Sequence, residues 1–391
     1  MSEETSPAWA RENAFPVKPD SGPYGCLDEK GKSQAFDDLV GLKNCLAQGK
    51  GRLAWVWVPE CERLIAPEEV SELASSLKKR RALFAEYDYE DARKGVLIFG
   101  AALLWTAYVA LANGGVAGLG QSQNFGLAVL MFLLFALRPG WEAYKGRKEL
   151  ASFSLEGLAA EVPEARFELW LGSQKSRLTY GFLGLISLVG LVQIMSPGIG
   201  IEQAGLVKSR YHQNDETWRI FTAALMHGNL IHFAMNASAL WYLARRVEIL
   251  ARWPHLAAVF LMSMIGAGWA TVTWLPTQNS VGVSGVVCGL LGFLLVFETL
   301  HRPLVPKPAR RRLTGILVSL VVIGALGFRF IDNAAHFGGL VTGASYAWIV
   351  FPKSSSPHRP VILKRDKVLG GVSLLLICLS GLGAIVAMMG R

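Results

Sequence analysis

Gly282-Val283-Ser284-Gly285 stands where a short polar loop, 276–280, runs into the apolar stretch 286–300. A serine in the first turn of a buried helix has that helix's unpaired N–H groups and positive dipole end beside it, which suits an anion forming there. Ser284 is therefore a candidate nucleophile. Small residues in membrane helices also serve close packing, so other residues must decide between the two readings. Two further apolar stretches supply them: His232 and Asn236 in one, and His336 within Asn333-Ala334-Ala335-His336-Phe337-Gly338-Gly339 in the other. Ionisable and amide side chains at bilayer depth are costly, and each marks a functional position by default.

The surrounding chain fixes the setting. Of 391 residues, 52% are hydrophobic, and the apolar runs have the lengths that a bilayer demands. Nine candidate spans follow: 96–112, 125–137, 180–195, 221–243, 256–275, 284–300, 313–328, 334–351 and 369–389. The second is short unless 115–124 is added to it. The formal charge of +9 does not indicate nucleic acid, because the basic residues are concentrated on alternate loops. Arg138, Lys145 and Lys175 lie on one such loop, Arg245 and Arg252 on the next, then Arg302, Lys307, Arg310 and Arg311, and finally Lys353 and Lys364. The loops between them are poor in Lys and Arg: 113–124 and 276–283 have none, and the loop near Asp332 has only Arg329. By the positive-inside rule the N-terminus is expected in the cytoplasm and Ser284 at the external end of its helix; the membrane expected is the cell (inner) membrane.

The five cysteines are odd in number and spaced as neither a disulfide framework nor a zinc site, so free thiols are expected. No nucleotide loop, metal motif or other cofactor signature is present, and nothing in the sequence sets an oligomeric state. Residues 1–35 are polar and rich in Pro, Gly and charge, which predicts a disordered tail. A small cytoplasmic region follows over 36–95, with a strand at 53–58 and a helix starting at Pro67. In that helix Lys78, Lys79, Arg80 and Arg81 read as a solvated face. The spans of 96–138 form a hairpin. The linker 139–178 mixes Phe153, Phe167 and Trp170 with charges, as a helix lying on the membrane surface would. The polar stretch 197–219 ends in Trp218 and Arg219, which reads equally as an interface anchor or a structured gate.

His232 and Asn236, four residues apart, share one helical face, whereas His227 is turned away and is expected to brace a loop by hydrogen bonding. His336, Gly339 and Gly343 place small residues beneath the histidine. Gly285, Gly289 and Gly292 do the same below the serine, so the two helices can approach backbone to backbone. Ala344 is expected to face lipid.

These features resemble the rhomboid intramembrane serine proteases. The resemblance rests on Gly282-Val283-Ser284-Gly285, on Ala335-His336-Phe337-Gly338-Gly339 with Gly343, on His227, His232 and Asn236 in order, and on Trp218-Arg219; it covers about 179–351. It implies an all-α polytopic membrane protein: a six-helix rhomboid core over 179–352, two extra N-terminal spans, and a basic loop with one extra C-terminal span over 353–391. It also implies a Ser284–His336 dyad without an acidic third member, an oxyanion site of the Ser284 N–H with His232 and Asn236, and a supporting Glu248. The implied partners are transmembrane protein substrates within the lipid bilayer, and the implied activity is endopeptidase, with no cofactor or metal. Cys288 departs from the family's pattern, where an aromatic often packs on the histidine; Ala244 and Arg252 depart where glycines often flank Glu248. A rhomboid-like pseudoprotease that binds membrane clients, or a transporter using His232, His336 and Asp332, are the alternatives.

Overall fold

A computed structural model of the chain describes residues 6–28, 31–48, 53–196, 200–328 and 331–390. The first five residues of the expected tail, Pro197 and Arg329 lie outside them. The chain divides into two compact units, one of Met1–Ser173 with Leu320–Ile331 and the other of Gln174–Ser319 with Asp332–Arg391.

In the first unit, strands β1 (Tyr24–Asp28), β2 (Ser33–Phe36) and β3 (Leu53–Trp57) form an antiparallel sheet in the order β2-β1-β3. Helix α1 (Leu39–Gln48) covers it with Leu42 and Leu46, both fully buried with Cys26 and Val56. The disordered tail expected over 1–35 is thus corrected for its described residues, 6–28 and 31–35. Phe15 is buried edge-on to Trp55, and Trp57 donates its indole N–H to the Gly22 carbonyl at 3.1 Å. A polar composition did not prevent folding, because a few aromatics supply the buried area. Pro67 opens only a short 3₁₀ turn, and the long helix α2 begins at Ala74 and runs to Gln121, with non-helical backbone at Gly114 and Gly115. Its basic run is not a solvated face throughout. Arg80 is buried and donates to the Leu46 carbonyl at 3.2 Å, and Arg81 forms a two-pronged pair with Glu161 at 2.5 and 3.1 Å.

Helices α3 (Gln123–Phe132) and α4 (Arg138–Ala151) are joined by a wider π turn. In α5 (Leu155–Ser173), Leu158, Phe167 and Trp170 are buried, and Trp9 meets Phe167 edge-on. The expectation of a membrane-surface helix is therefore also corrected: amphipathic spacing gives the same pattern whether the apolar face meets lipid or protein. The cysteines are free, as expected, but Cys26 and Cys45 are adjacent, with their Sγ atoms 3.5 Å apart.

The second unit is helical: α6 (Arg177–Met195), the short α7 (Gly200–Ala204), α8 (Lys208–Gln213) and α9 (Arg219–Ala223), then α10 (Leu230–Leu250), α11 (Trp253–Trp274), α12 (Ser284–Leu300), α13 (Lys307–Leu326, of which the part from Leu320 on belongs to the first unit), α14 (Asn333–Val350) and α15 (Lys364–Met389). The expected spans coincide with helices except at 221–243, where the helix starts only at Leu230. Asn229 stops it there, its side chain accepting the His232 backbone N–H at 2.8 Å as an N-cap. By length and apolarity five helices among the described residues qualify to cross a membrane, and Ser284–Leu300 is a shorter apolar helix. The chain is a multi-pass membrane protein.

At the centre, α11, α12 and α14 pack through small residues. A Cβ added at Gly339 or Gly343 would collide with the carbonyl oxygen of Gly285 or Gly289, and one at Gly292 with that of Leu340. On the α11 side, Ala267 meets Gly285, Ser263 meets Gly289, and Ala270 meets Gly338. Without side chains between them, the backbones themselves touch. Ala344, expected to face lipid, has its backbone N 3.2 Å from where a Gly292 Cβ would stand, so it belongs to this contact.

Candidate active site

Ser284 is the first residue of α12 and is half-buried. The loop before it is held by backbone hydrogen bonds. Gly282 N–H donates to the Ala223 carbonyl at 3.0 Å, and Leu206 and Ser280 exchange N–H···O bonds of 3.1 and 3.2 Å. Gly282 has φ +126°, a conformation that side chains resist. Space also excludes a side chain there: a Cβ would lie 2.8 Å from His232 Cε1, 3.1 Å from His232 Nε2 and 3.6 Å from Asn236 Nδ2. The shared helical face of His232 and Asn236 is therefore turned onto the serine loop.

The hydrogen bonding of these two side chains gives the site its electrostatic sense. His232 Nδ1 accepts the Gly228 N–H in a long 3.5 Å contact, so a neutral ring carries its proton on Nε2, the nitrogen nearest Gly282. Asn236 is buried, and its Nδ2 has no partner among the described residues. Two donors thus converge beside the serine, and that of Asn236 has no acceptor among the described residues.

His336 lies one turn into α14, whose N-cap is Asp332; the carboxylate accepts the Ala335 N–H at 2.9 Å. Ala335 contributes its carbonyl oxygen 3.3 Å from where a Gly285 Cβ would stand. The turn bearing His336 is thereby set against the turn bearing Ser284. The ring's Nδ1 is buried without a hydrogen-bond partner among the described residues.

His227 behaves differently from expectation. Its backbone, not its ring, braces the loop: the Gln193 amide donates to its carbonyl at 2.5 Å and accepts its N–H at 3.1 Å. The ring nitrogens have no hydrogen-bond partner among the described residues, and the ring stacks edge-on to His232 and Phe233. Arg219 is buried, donates to the Gly205 carbonyl at 2.7 Å, pairs with Glu216 and lies 4.7 Å over the Trp218 ring. Trp218 itself is partly exposed. Glu248 caps α6 from α10, accepting the N–H groups of Leu178 and Thr179 at 3.0 and 2.8 Å and the Thr179 hydroxyl at 2.7 Å. Of the departures, Cys288 and Ala244 are buried, and Arg252 holds φ +81° just before α11.

Sequence reading missed a buried chain of polar groups behind the histidine. Lys208 of α8 donates from Nζ to the Thr271 hydroxyl at 2.7 Å and to the Leu275 carbonyl at 2.5 Å; Thr271 donates to Asp332 at 2.5 Å. Burial pushes the Lys208 ammonium below the usual lysine range, and the Asp332 carboxylate opposes that shift. This chain ties the loop segment to the cap of the helix that carries His336. The sequence reading named Asp332 only as a polar residue and not as a cap, and Lys208 and Thr271, 63 residues apart, carried no local signal.

Residues 214–353 match the family model described as a Rhomboid domain. Among curated proteins the chain is similar to RHOMBOID-like protein 4 of Arabidopsis thaliana, 28% identical, with 41% of this chain and 40% of that protein covered. It is also similar to Rhomboid protease GluP of Bacillus subtilis, at 29% identity with 43% and 34% covered. A third relative is Inactive rhomboid protein 2 of Homo sapiens, at 30% identity with 35% and 16% covered. The chain spans less than half the length of each of these relatives. One of them is named a protease and another inactive, so catalysis in this chain has to be argued from its own residues.

Proposed function

The chain belongs to the rhomboid family, and from that membership we propose that it is an intramembrane serine endopeptidase acting on transmembrane segments of other proteins. The observation that carries the reading is the pair of donors, His232 Nε2 and the unpartnered Asn236 Nδ2, beside the loop of Ser284. A buried amide left unpaired costs roughly 1–3 kcal/mol, a cost that is offset if its acceptor arrives with the reaction.

In this mechanism Ser284 Oγ attacks the scissile carbonyl carbon while His336 takes the hydroxyl proton. The carbonyl oxygen becomes an oxyanion that accepts from the Ser284 N–H, His232 and Asn236. His336 then protonates the leaving amine as the C–N bond breaks, leaving an acyl-enzyme. Water, deprotonated by His336, hydrolyses the ester and restores Ser284. A dyad suffices, in keeping with the unpartnered His336 Nδ1. The glycine contacts between α12 and α14 support the approach of base to nucleophile, and the proposed protease domain is 179–352, with two spans before it and one after. The basic loops support a cytoplasmic N-terminus and an external opening of the site, through which water enters.

The test is a gel assay of a single-span substrate in detergent, wild type beside Ser284→Ala and His336→Ala. Each variant is expected to remove essentially all cleavage, and the double variant to be no worse, because nucleophile and base act as a unit. A folded Ser284→Ala protein cleaving at the wild-type rate would overturn the proposal. Similarity to proteins named inactive supports a second reading, a client-binding pseudoprotease. Failure of a serine-directed fluorophosphonate to label Ser284 would favour that reading.

A further inference from the structure

At the opposite end of α12 from Ser284, its last turns and the start of α13 border a half-open cavity of about 340 Å³. Arg302, Lys307, Arg310 and Arg311 line it. The acid on its wall is Glu298, which is buried and held in a two-pronged pair by Arg246 at 2.6 and 2.9 Å, so its charge is already balanced. None of the four lining cations forms an ion pair among the described residues, and Arg310 keeps a buried Nε without a hydrogen-bond partner. Four like charges around one hollow repel each other, and an anion inside it would relieve that repulsion.

We propose that this cavity binds the phosphate of an anionic phospholipid. Guanidinium forks match phosphate oxygens in pairs, and the Thr314 hydroxyl on the rim offers a further donor. The lipid source is favoured over a free phosphate by what continues from the site. Arg311, Thr314, Val318 and Val321 are spaced by three and four residues and so share one face of α13. Val318 and Val321 are exposed at 57% and 62%. A headgroup in the cavity would therefore lay an acyl chain along an apolar strip of the same helix. With the N-terminus cytoplasmic, as proposed above, these basic residues also belong to a loop on the side where anionic lipids are attracted to polybasic segments.

The experiment is native mass spectrometry of the full chain in detergent, titrated with phosphatidylglycerol or phosphatidylcholine. Wild type is expected to retain phosphatidylglycerol in preference. Arg310→Gln with Arg311→Gln is expected to weaken that retention by on the order of tenfold or more. Lys353→Gln with Lys364→Gln, which removes the same charge from another basic segment, is expected to leave it unchanged. If the arginine pair impairs folding, judged by thermal melting, Lys307→Gln alone serves, with a smaller loss expected. Equal retention of both lipids by wild type, equal loss in the control pair, or unchanged retention in the cavity variants would overturn the proposal. Full displacement of the lipid by millimolar inorganic phosphate would assign the cavity to a soluble anion and overturn it too.

Discussion

Asn236 illustrates how a residue with no partner can be more informative than one with several. Its Nδ2 makes no hydrogen bond among the described residues, so Asn236→Ala should leave thermal stability almost untouched. The same substitution should lower kcat by roughly 10²-fold, with a smaller effect on KM, if the donor serves only the transition state. Steady-state kinetics on a fluorogenic transmembrane peptide would measure both, and an effect confined to KM would make Asn236 a substrate-binding residue. Arg252 makes the opposite case. Its φ of +81° and ψ of +161° fall where glycine alone is at ease, and its Nε is buried with no hydrogen-bond partner among the described residues. Such backbone strain is worth about 1–3 kcal/mol, more than the entropy a glycine loses on folding. Arg252→Gly is expected to raise the melting temperature by a few degrees. A lower melting temperature would mean that the arginine's side-chain contacts outweigh the strain.

At the scale of elements, the contact between α12 and α14 is made by absence of bulk. Gly339 stands one turn beyond His336 with the Gly285 carbonyl where its Cβ would be. Gly339→Val must therefore move a backbone, at about 1–3 kcal/mol for overpacking. A shift of about 1 Å between the proposed base and nucleophile is expected to cost on the order of 10²-fold in rate. The proper control is Ser345→Val, at an exposed position of the same helix; Ala344 is unsuitable because it lies against Gly292. Equal activity of the two valine variants would show that the histidine is not positioned through Gly339. The glycine spacing on both helices was legible in the sequence, since i, i+3 and i+4 positions share a face whatever the partner. The face of α14 that holds Ala344 was not legible, because small residues suit lipid and helix alike.

For the molecule as a whole, the N-terminal sheet supplies a measurable core of its own. Cys26 is buried within it, and burial with the neighbouring Cys45 pushes its thiol up to about 12. At pH 8 the thiolate fraction is then on the order of 10⁻⁴, and iodoacetamide should leave Cys26 unmodified until denaturant opens the sheet, as read by peptide mass. Above the ordinary thiol pKa the unfolded chain releases this proton and the folded one retains it, so this unit's stability should fall as pH rises past about 9. Prompt alkylation of Cys26 in the native protein would show that the sheet does not protect it.

The sequence by itself determined what depends on neighbours along the chain. Apolar length marked the helices, the four-residue spacing put His232 and Asn236 on one face, and the order of Ser284 and His336 among glycines carried the family resemblance. The caps Asn229 and Asp332, each bonded to an N–H three residues on, were not singled out in the sequence, where the span containing Asn229 was expected to start at 221. The tertiary structure alone decided what depends on partners far away in the chain. It joined Lys208 through Thr271 to Asp332, turned the face of His232 onto Gly282, and gave Phe167 and Trp170 protein neighbours in place of lipid. The physical reason is that periodicity states which side of a helix is apolar or small, but is silent about what covers it. That choice is made by the contacts of the folded chain.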